Sequence, residues 1–212
     1  MELIATLVDF VLHLDRHLAE IIARYGVWTY LLLFLIVFSE TGFVVTPFLP
    51  GDSLLFAAGT FAGLGSLDPA VLVLLLALAA IGGNTVNYWV GRFIGPRAFS
   101  GTIRWLRQDY LRRTEEFYER HGGKTIVLTR FVPILRTFAP FVAGVGRMHF
   151  ARFTAYNVGG GLAWVLLFVL GGYFFGNLPV VKENFSAVIL GIIVVSVMPI
   201  LVEALRSRRR AV

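Results

Sequence analysis

The sequence predicts an all-α integral membrane protein. It should have about four transmembrane helices, two opposed re-entrant helical hairpins forming an inverted repeat, and interfacial amphipathic helices. Three observations carry this expectation. Hydrophobic residues make up 57% of the chain and mean hydropathy is +0.77, well above a soluble domain. Several apolar runs reach the roughly 20 residues that a helix needs to cross a bilayer. Two of those runs are interrupted by proline, glycine and charge. The 212 residues suit a single membrane domain.

The strongest interruption is Lys124–Gly146, read as re-entrant hairpin 2 (124–146). Arg130 and Arg136 lie near its middle, and Pro133 and Pro140 are expected to break it. An arginine at mid-bilayer costs roughly 2.5–3.5 kcal/mol on insertion scales, and proline removes a helical hydrogen bond. A hairpin lining a wet cavity lowers both costs.

From the start of the chain, residues 1–26 read as an amphipathic helix. Leu3, Leu7, Phe10, Leu14, Leu18 and Ile21 share one face, with Asp9, His13, Arg16 and Glu20 opposite. Such a helix lies in the membrane interface or packs on the protein. Trp28–Phe38 reads as the end of a first span begun near Leu18 or Ile21. Residues 40–62 then form re-entrant hairpin 1, broken at Pro47, Pro50 and Gly51. Leu67–Gly95 is the second span. Its Asn84 and Asn87 either line a cavity or bond across helices, the second being favoured, and Arg92 reads as a snorkelling anchor.

Residues 96–123 form a basic cytoplasmic or interfacial helix, and Arg147–Arg152 a basic turn. Phe153–Phe175 is the third span, with Tyr156 and Asn157 at its start read as packing or interfacial residues. Asn177–Asn184 is a loop, Phe185–Leu205 the last span, and 206–212 a basic cytoplasmic tail. The patterns Gly91-x-x-x-Gly95 and Gly172-x-x-x-Gly176 permit close helix approach. The glycine-rich third span could pack within one chain or between copies in a homo-oligomer. Basic residues cluster in 96–124, at Arg147 and Arg152 and in the tail, so both termini are expected to face the cytoplasm.

Four ionisable residues fall in the broken segments: Glu40, Asp52, Arg130 and Arg136. The hairpin tips are expected to meet, with the two acids near the two arginines. Beyond holding the tips together, this set suits an anionic headgroup. Arginine grips phosphate with a planar, permanently charged fork. Arg130 and Arg136 are therefore candidates for the phosphate headgroup, and Glu40 and Asp52 for ion pairing and proton coupling.

The sequence also excludes classes of function. It has no cysteine, and no HExxH, GxSxG or P-loop motif. No enzyme activity, metal or cofactor is expected. The net charge of +6 comes mostly from arginine, 17 of 19 basic residues. In a membrane chain this points to anionic membrane lipids and not to nucleic acid. No cleavable signal peptide is expected either.

At Glu40 with the run PFLPGDSLLFAAG, at GNTVNYWVGRFIG, and at GGKTIVLTRFVPILRTFAPFVAGVGRMHFARFTAYNVGGGLAW, the chain resembles the bacterial DedA family, which shares the VTT or SNARE-associated Golgi domain. The resemblance covers roughly residues 20–176. It implies a multi-pass inner-membrane protein that returns undecaprenyl phosphate across the cytoplasmic membrane. It also implies phospholipid flipping or scrambling, or proton-motive-force homeostasis with alkaline or drug tolerance, as alternatives. The resemblance implies that Glu40, Asp52, Arg130 and Arg136 are required. Many members have an acid where this chain has Asn84. The expectation is a proton-linked lipid transporter. An ion-coupled antiporter and a non-transporting assembly protein are the alternatives.

Overall fold

The protein is described here by a computed structural model covering residues 14–43, 51–98 and 122–210. The expectations for residues 1–13, for the hairpin tip with Pro47 and Pro50, for the basic segment over 99–121, and for 211–212 lie outside the described residues. Every element among the described residues is a helix: α1 Leu14–Tyr25, α2 Trp28–Gly42, α3 Gly51–Gly63, α4 Pro69–Ala98, α5 Gly122–Thr129, α6 Pro133–Val145, α7 Phe150–Phe175, α8 Pro179–Glu183 and α9 Phe185–Arg210.

Local chemistry sets the boundaries. In α1, Leu14 and Leu18 are buried, Asp15 sits in the first turn and Arg24 in the last, matching the helix dipole. Gly26 then adopts φ +52°, and its N–H donates to Ile22 O at 2.9 Å, a left-handed helix stop that favours glycine. The expected first span from Leu18 or Ile21 to Phe38 is therefore interrupted, and α2 starts afresh at Trp28. Glu40 lies in the last turn of α2, so hairpin 1 does not begin there as a separate element. Gly51 is the first residue of α3. Asp68 accepts a hydrogen bond from Val71 N–H at 2.9 Å and Pro69 takes the first helical position, a strong start for α4.

The second broken segment divides once. The backbone turns at residues 130–132, and α6 begins at Pro133. Pro140 does not break it, contrary to expectation: α6 runs through it to Val145. The cost is local, since Pro140 has no N–H to give to the carbonyl of Arg136. Later, the expected loop 177–184 contains the short helix α8, and α9 continues to Arg210, beyond the expected end at Leu205.

α4 over Pro69–Gly95 and α7 are long and apolar enough to cross a membrane. Both expose large apolar side chains along their length, among them Leu74, Leu78, Phe93, Leu167 and Phe174. Lipid is the medium that covers such faces without penalty.

The described residues fall into two compact units. The first is drawn from within Met1–Phe34, Pro50–Leu76 and Val165–Val212, the second from within Leu35–Leu49 and Ala77–Trp164. In the first, α3 packs against α1 and α9 and is buried along almost all of its length. A Cβ on Gly59 would land on the carbonyl oxygen of Val169, on Gly172 it would land on that of Phe56, and on Gly176 on the hydroxyl of Thr60. So α3 and the end of α7 meet backbone to backbone.

The second unit does the same with α6 and the end of α4. A Cβ on Gly144 would land on the carbonyl oxygen of Tyr88, on Gly91 on that of Phe141, and on Gly95 3.0 Å from Val145 Cα. Positions 56, 59 and 60 of α3 thus match 141, 144 and 145 of α6 in spacing. Positions 169, 172 and 176 of α7 match 88, 91 and 95 of α4 in the same way. The two units repeat one packing motif at residue level. Within its own unit, each short helix packs on the end of the long helix that follows the other short helix in sequence. Around the second clasp, Tyr88, Ile126, Ala139, Ala143, Met148 and Phe153 form an apolar core. Tyr88 is stacked on Phe153 and donates its hydroxyl to Met148 O.

Candidate functional site

The polar centre of the second unit is built from the helix ends that the clasp holds. Arg136 lies in the first turn of α6, just after the 130–132 turn. Its Nη2 donates to Oε1 of Glu40 in the last turn of α2, and both side chains are almost fully buried. The guanidinium carbon lies 5.1 Å from the ring centroid of Trp164 on α7, a cation–π distance. The pair is thus gripped by charge on one side and by an aromatic face on another.

Arg130, 2% exposed, occupies the turn itself. Its Nη2 donates to both oxygens of Asn157 on α7, at 3.2 Å to the backbone carbonyl and more closely to Oδ1. Its Nε is buried without an acceptor among the described residues. Two glycines make room for it: a Cβ on Gly160 would lie 3.3 Å from Arg130 Cδ, and one on Gly161 3.3 Å from Nη2. Asn157 is itself fixed, its Nδ2 donating to Ile81 O at 3.0 Å and to Thr85 Oγ1 at 3.3 Å. Asn84 Nδ2 donates to Asn157 Oδ1 at 3.2 Å. Asn87 Nδ2 donates to Thr137 O at 2.6 Å and to Thr41 O at 3.4 Å. Both asparagines therefore bond across helices.

Charge does not balance here. Among the described residues of the second unit the only carboxylate is Glu40, and it serves Arg136. Arg130 has an amide where a carboxylate was expected. A buried cation without an anion is costly, so this arrangement is suited to a site that receives one.

Asp52 lies in the first unit, in the first turn of α3, and is 5% exposed. Ser196 of α9 donates to its Oδ2 at 2.7 Å. A carboxylate is favoured at a helix N-terminus by the backbone dipole. Arg92, at the far end of α4, donates to Tyr88 OH at 2.9 Å and lies over the Trp89 ring at 5.9 Å.

Sequence reasoning missed Asn157, Trp164, Thr85 and Ser196. The signal for Asn157 was present: a polar residue just ahead of three consecutive glycines in an otherwise apolar helix. Ser196 left no comparable trace.

The VTT domain matches residues 49–174. The chain is 56% identical over 214 residues to Protein DedA of Escherichia coli (strain K12), covering 100% of this chain and 98% of that one. The chain belongs to the DedA family. A family relative in Mycobacterium tuberculosis (strain ATCC 25618 / H37Rv), an uncharacterized membrane protein, is 42% identical over 184 residues, 84% of this chain and 79% of that one. The Inner membrane protein YqjA of Escherichia coli (strain K12) is 36% identical over 152 residues, 71% of this chain and 69% of that one. No solved structure matches. The second and third of these relatives are named as membrane proteins, and with α4 and α7 they make this DedA-family chain a membrane protein consistent with the inner membrane.

Proposed function

We propose that the protein carries a polyprenyl phosphate, undecaprenyl phosphate first, from the outer to the inner leaflet of the cytoplasmic membrane. Arg130 and Arg136 hold the phosphate, and the polyprenyl tail stays in lipid. The observation that carries this reading is the uneven burial of charge among the described residues of the second unit, the guanidinium groups of Arg130 and Arg136 against the carboxylate of Glu40. The fork of arginine suits a phosphate bidentately. The N-terminus of α6, with no side-chain cap at Val132, adds positive potential beside Arg136.

In this reading Glu40 holds Arg136 when no lipid is bound and releases it when phosphate competes. Glu40 and Asp52 exchange protons as their partners change, which links transport to the proton gradient. The helix–turn–helix α5–α6, and the end of α2 with α3, serve as the two re-entrant hairpins, and both termini face the cytoplasm. Anionic lipids contact the basic segments.

The test is movement of undecaprenyl phosphate between leaflets of proteoliposomes at two imposed proton gradients. The wild type moves it, faster with the favourable gradient, and Arg136→Lys does not. Proton flux without lipid movement would replace this reading by an antiporter. Movement of phospholipid alone would make the protein a scramblase. Full function of Arg136→Lys would remove the clamp.

A further inference from the structure

Asn157 occupies the position where a carboxylate would neutralise Arg130, and it is neutral. Its orientation is dictated on every side. Nδ2 has two acceptors, Ile81 O and Thr85 Oγ1. Oδ1 has two donors, Arg130 Nη2 and Asn84 Nδ2. Turning the amide over would set donors against donors and an acceptor against the Ile81 carbonyl. The side chain therefore presents a fixed carbonyl to a guanidinium that Gly160 and Gly161 admit.

We propose that Asn157 is the positioning residue that sets the charge of the anion site: it aims Arg130 without neutralising it, so that the uncompensated charge selects a phosphate headgroup over an uncharged one. This inference rests on the phosphate reading of the site given above. A carbonyl dipole orients the guanidinium and satisfies one edge of it. The net positive charge and the buried Nε remain for the ligand. A carboxylate at the same place would set a full negative charge against Arg130 and compete with phosphate for it. Thr85, one helical turn from Ile81, acts behind Asn157 by holding its Nδ2.

The test uses the full chain purified in detergent and two probes, farnesyl phosphate and farnesol. The ratio of their dissociation constants reports headgroup selection separately from binding of the tail. The wild type should prefer the phosphate. Asn157→Asp should reduce that preference at least tenfold while farnesol binding changes less than twofold. A merely structural role would weaken both probes together.

If the wild type shows no preference, the phosphate reading fails and this inference falls with it. If the wild type prefers the phosphate and Asn157→Asp preserves the preference, only the role of Asn157 is overturned. Should Asn157→Asp not fold, Asn157→Ser retains a neutral oxygen with shorter reach. Its phosphate preference should fall about threefold to tenfold, and equality with the wild type overturns the inference.

Discussion

In the first unit Gly59, Gly172 and Gly176 bring α3 onto the end of α7. In the second, Gly144, Gly91 and Gly95 bring α6 onto the end of α4, at matching intervals along both partners. The side chains set in these two frames are unlike. The first holds an acid, Asp52, bonded to a hydroxyl. The second holds two arginines, one paired with Glu40 and one held by Asn157. What repeats is the approach of backbone to backbone, which glycine permits. What diverges is charge, which a ligand senses. The difference teaches that the frame can be doubled while the chemistry is placed mostly on one side of it.

The most direct way to break the comparison is to remove one charge from the second unit. Glu40→Gln leaves the buried Arg136 without the charge of its carboxylate. Breaking a buried pair costs about 3–5 kcal/mol, so the variant should melt markedly earlier in detergent and lose lipid transport. Adding Arg136→Gln closes a double-mutant cycle, in which contacting residues couple by roughly 0.5–3 kcal/mol. Strict additivity would mean that the pair contributes no coupling.

A smaller effect sharpens the claim that the frames are equivalent. Gly144→Ala and Gly59→Ala each drive a methyl into a backbone carbonyl, of Tyr88 and of Val169. Overpacking costs about 1–3 kcal/mol per site, and the losses should be similar in the two units by thermal melting. If one is negligible and the other large, the repeated spacing does not reflect repeated packing.

Much of this was legible in the sequence, for identifiable reasons. Buried charge in a lipid-facing chain is expensive, and Glu40, Asp52, Arg130 and Arg136 were found by that cost alone. All four are buried. The partners were harder. The pairing of Arg136 with Glu40 follows from opposite charge, but Arg130 took a neutral amide, and periodicity contains nothing that ranks Asn157 above Asn84 or Asn87. Gly91-x-x-x-Gly95 and Gly172-x-x-x-Gly176 are visible as patterns, yet such patterns are weak alone. Their force comes from which helix each meets, and that is a tertiary fact. Pro140 misled because a proline within a helix marks a lost hydrogen bond and not always an end. The expected end of the amphipathic helix at residue 26 coincides with the positive φ of Gly26, which a span running on from Leu18 or Ile21 leaves out of account.

In the first unit, Ser196→Ala removes the hydroxyl that donates to Asp52. The net worth of such a bond is about 1 kcal/mol, so the melting shift should be well below that of Glu40→Gln. A shift as large would place the two polar centres on an equal footing.

The smallest expected effect lies at Gly191 of α9, where an added Cβ meets nothing within 4 Å. The same substitution that jams the clasps should here relieve the chain. Alanine in place of a mid-helix glycine is favoured by roughly 0.5–1 kcal/mol, so Gly191→Ala should melt slightly later than the wild type. The contrast with Gly172 is then a contrast of surroundings, since both residues are helical glycines in the first unit. Should Gly191→Ala instead destabilise the protein, the open face of α9 must meet another surface in the membrane. Repeating the melt across protein concentrations would tell whether that surface is a second copy of the chain.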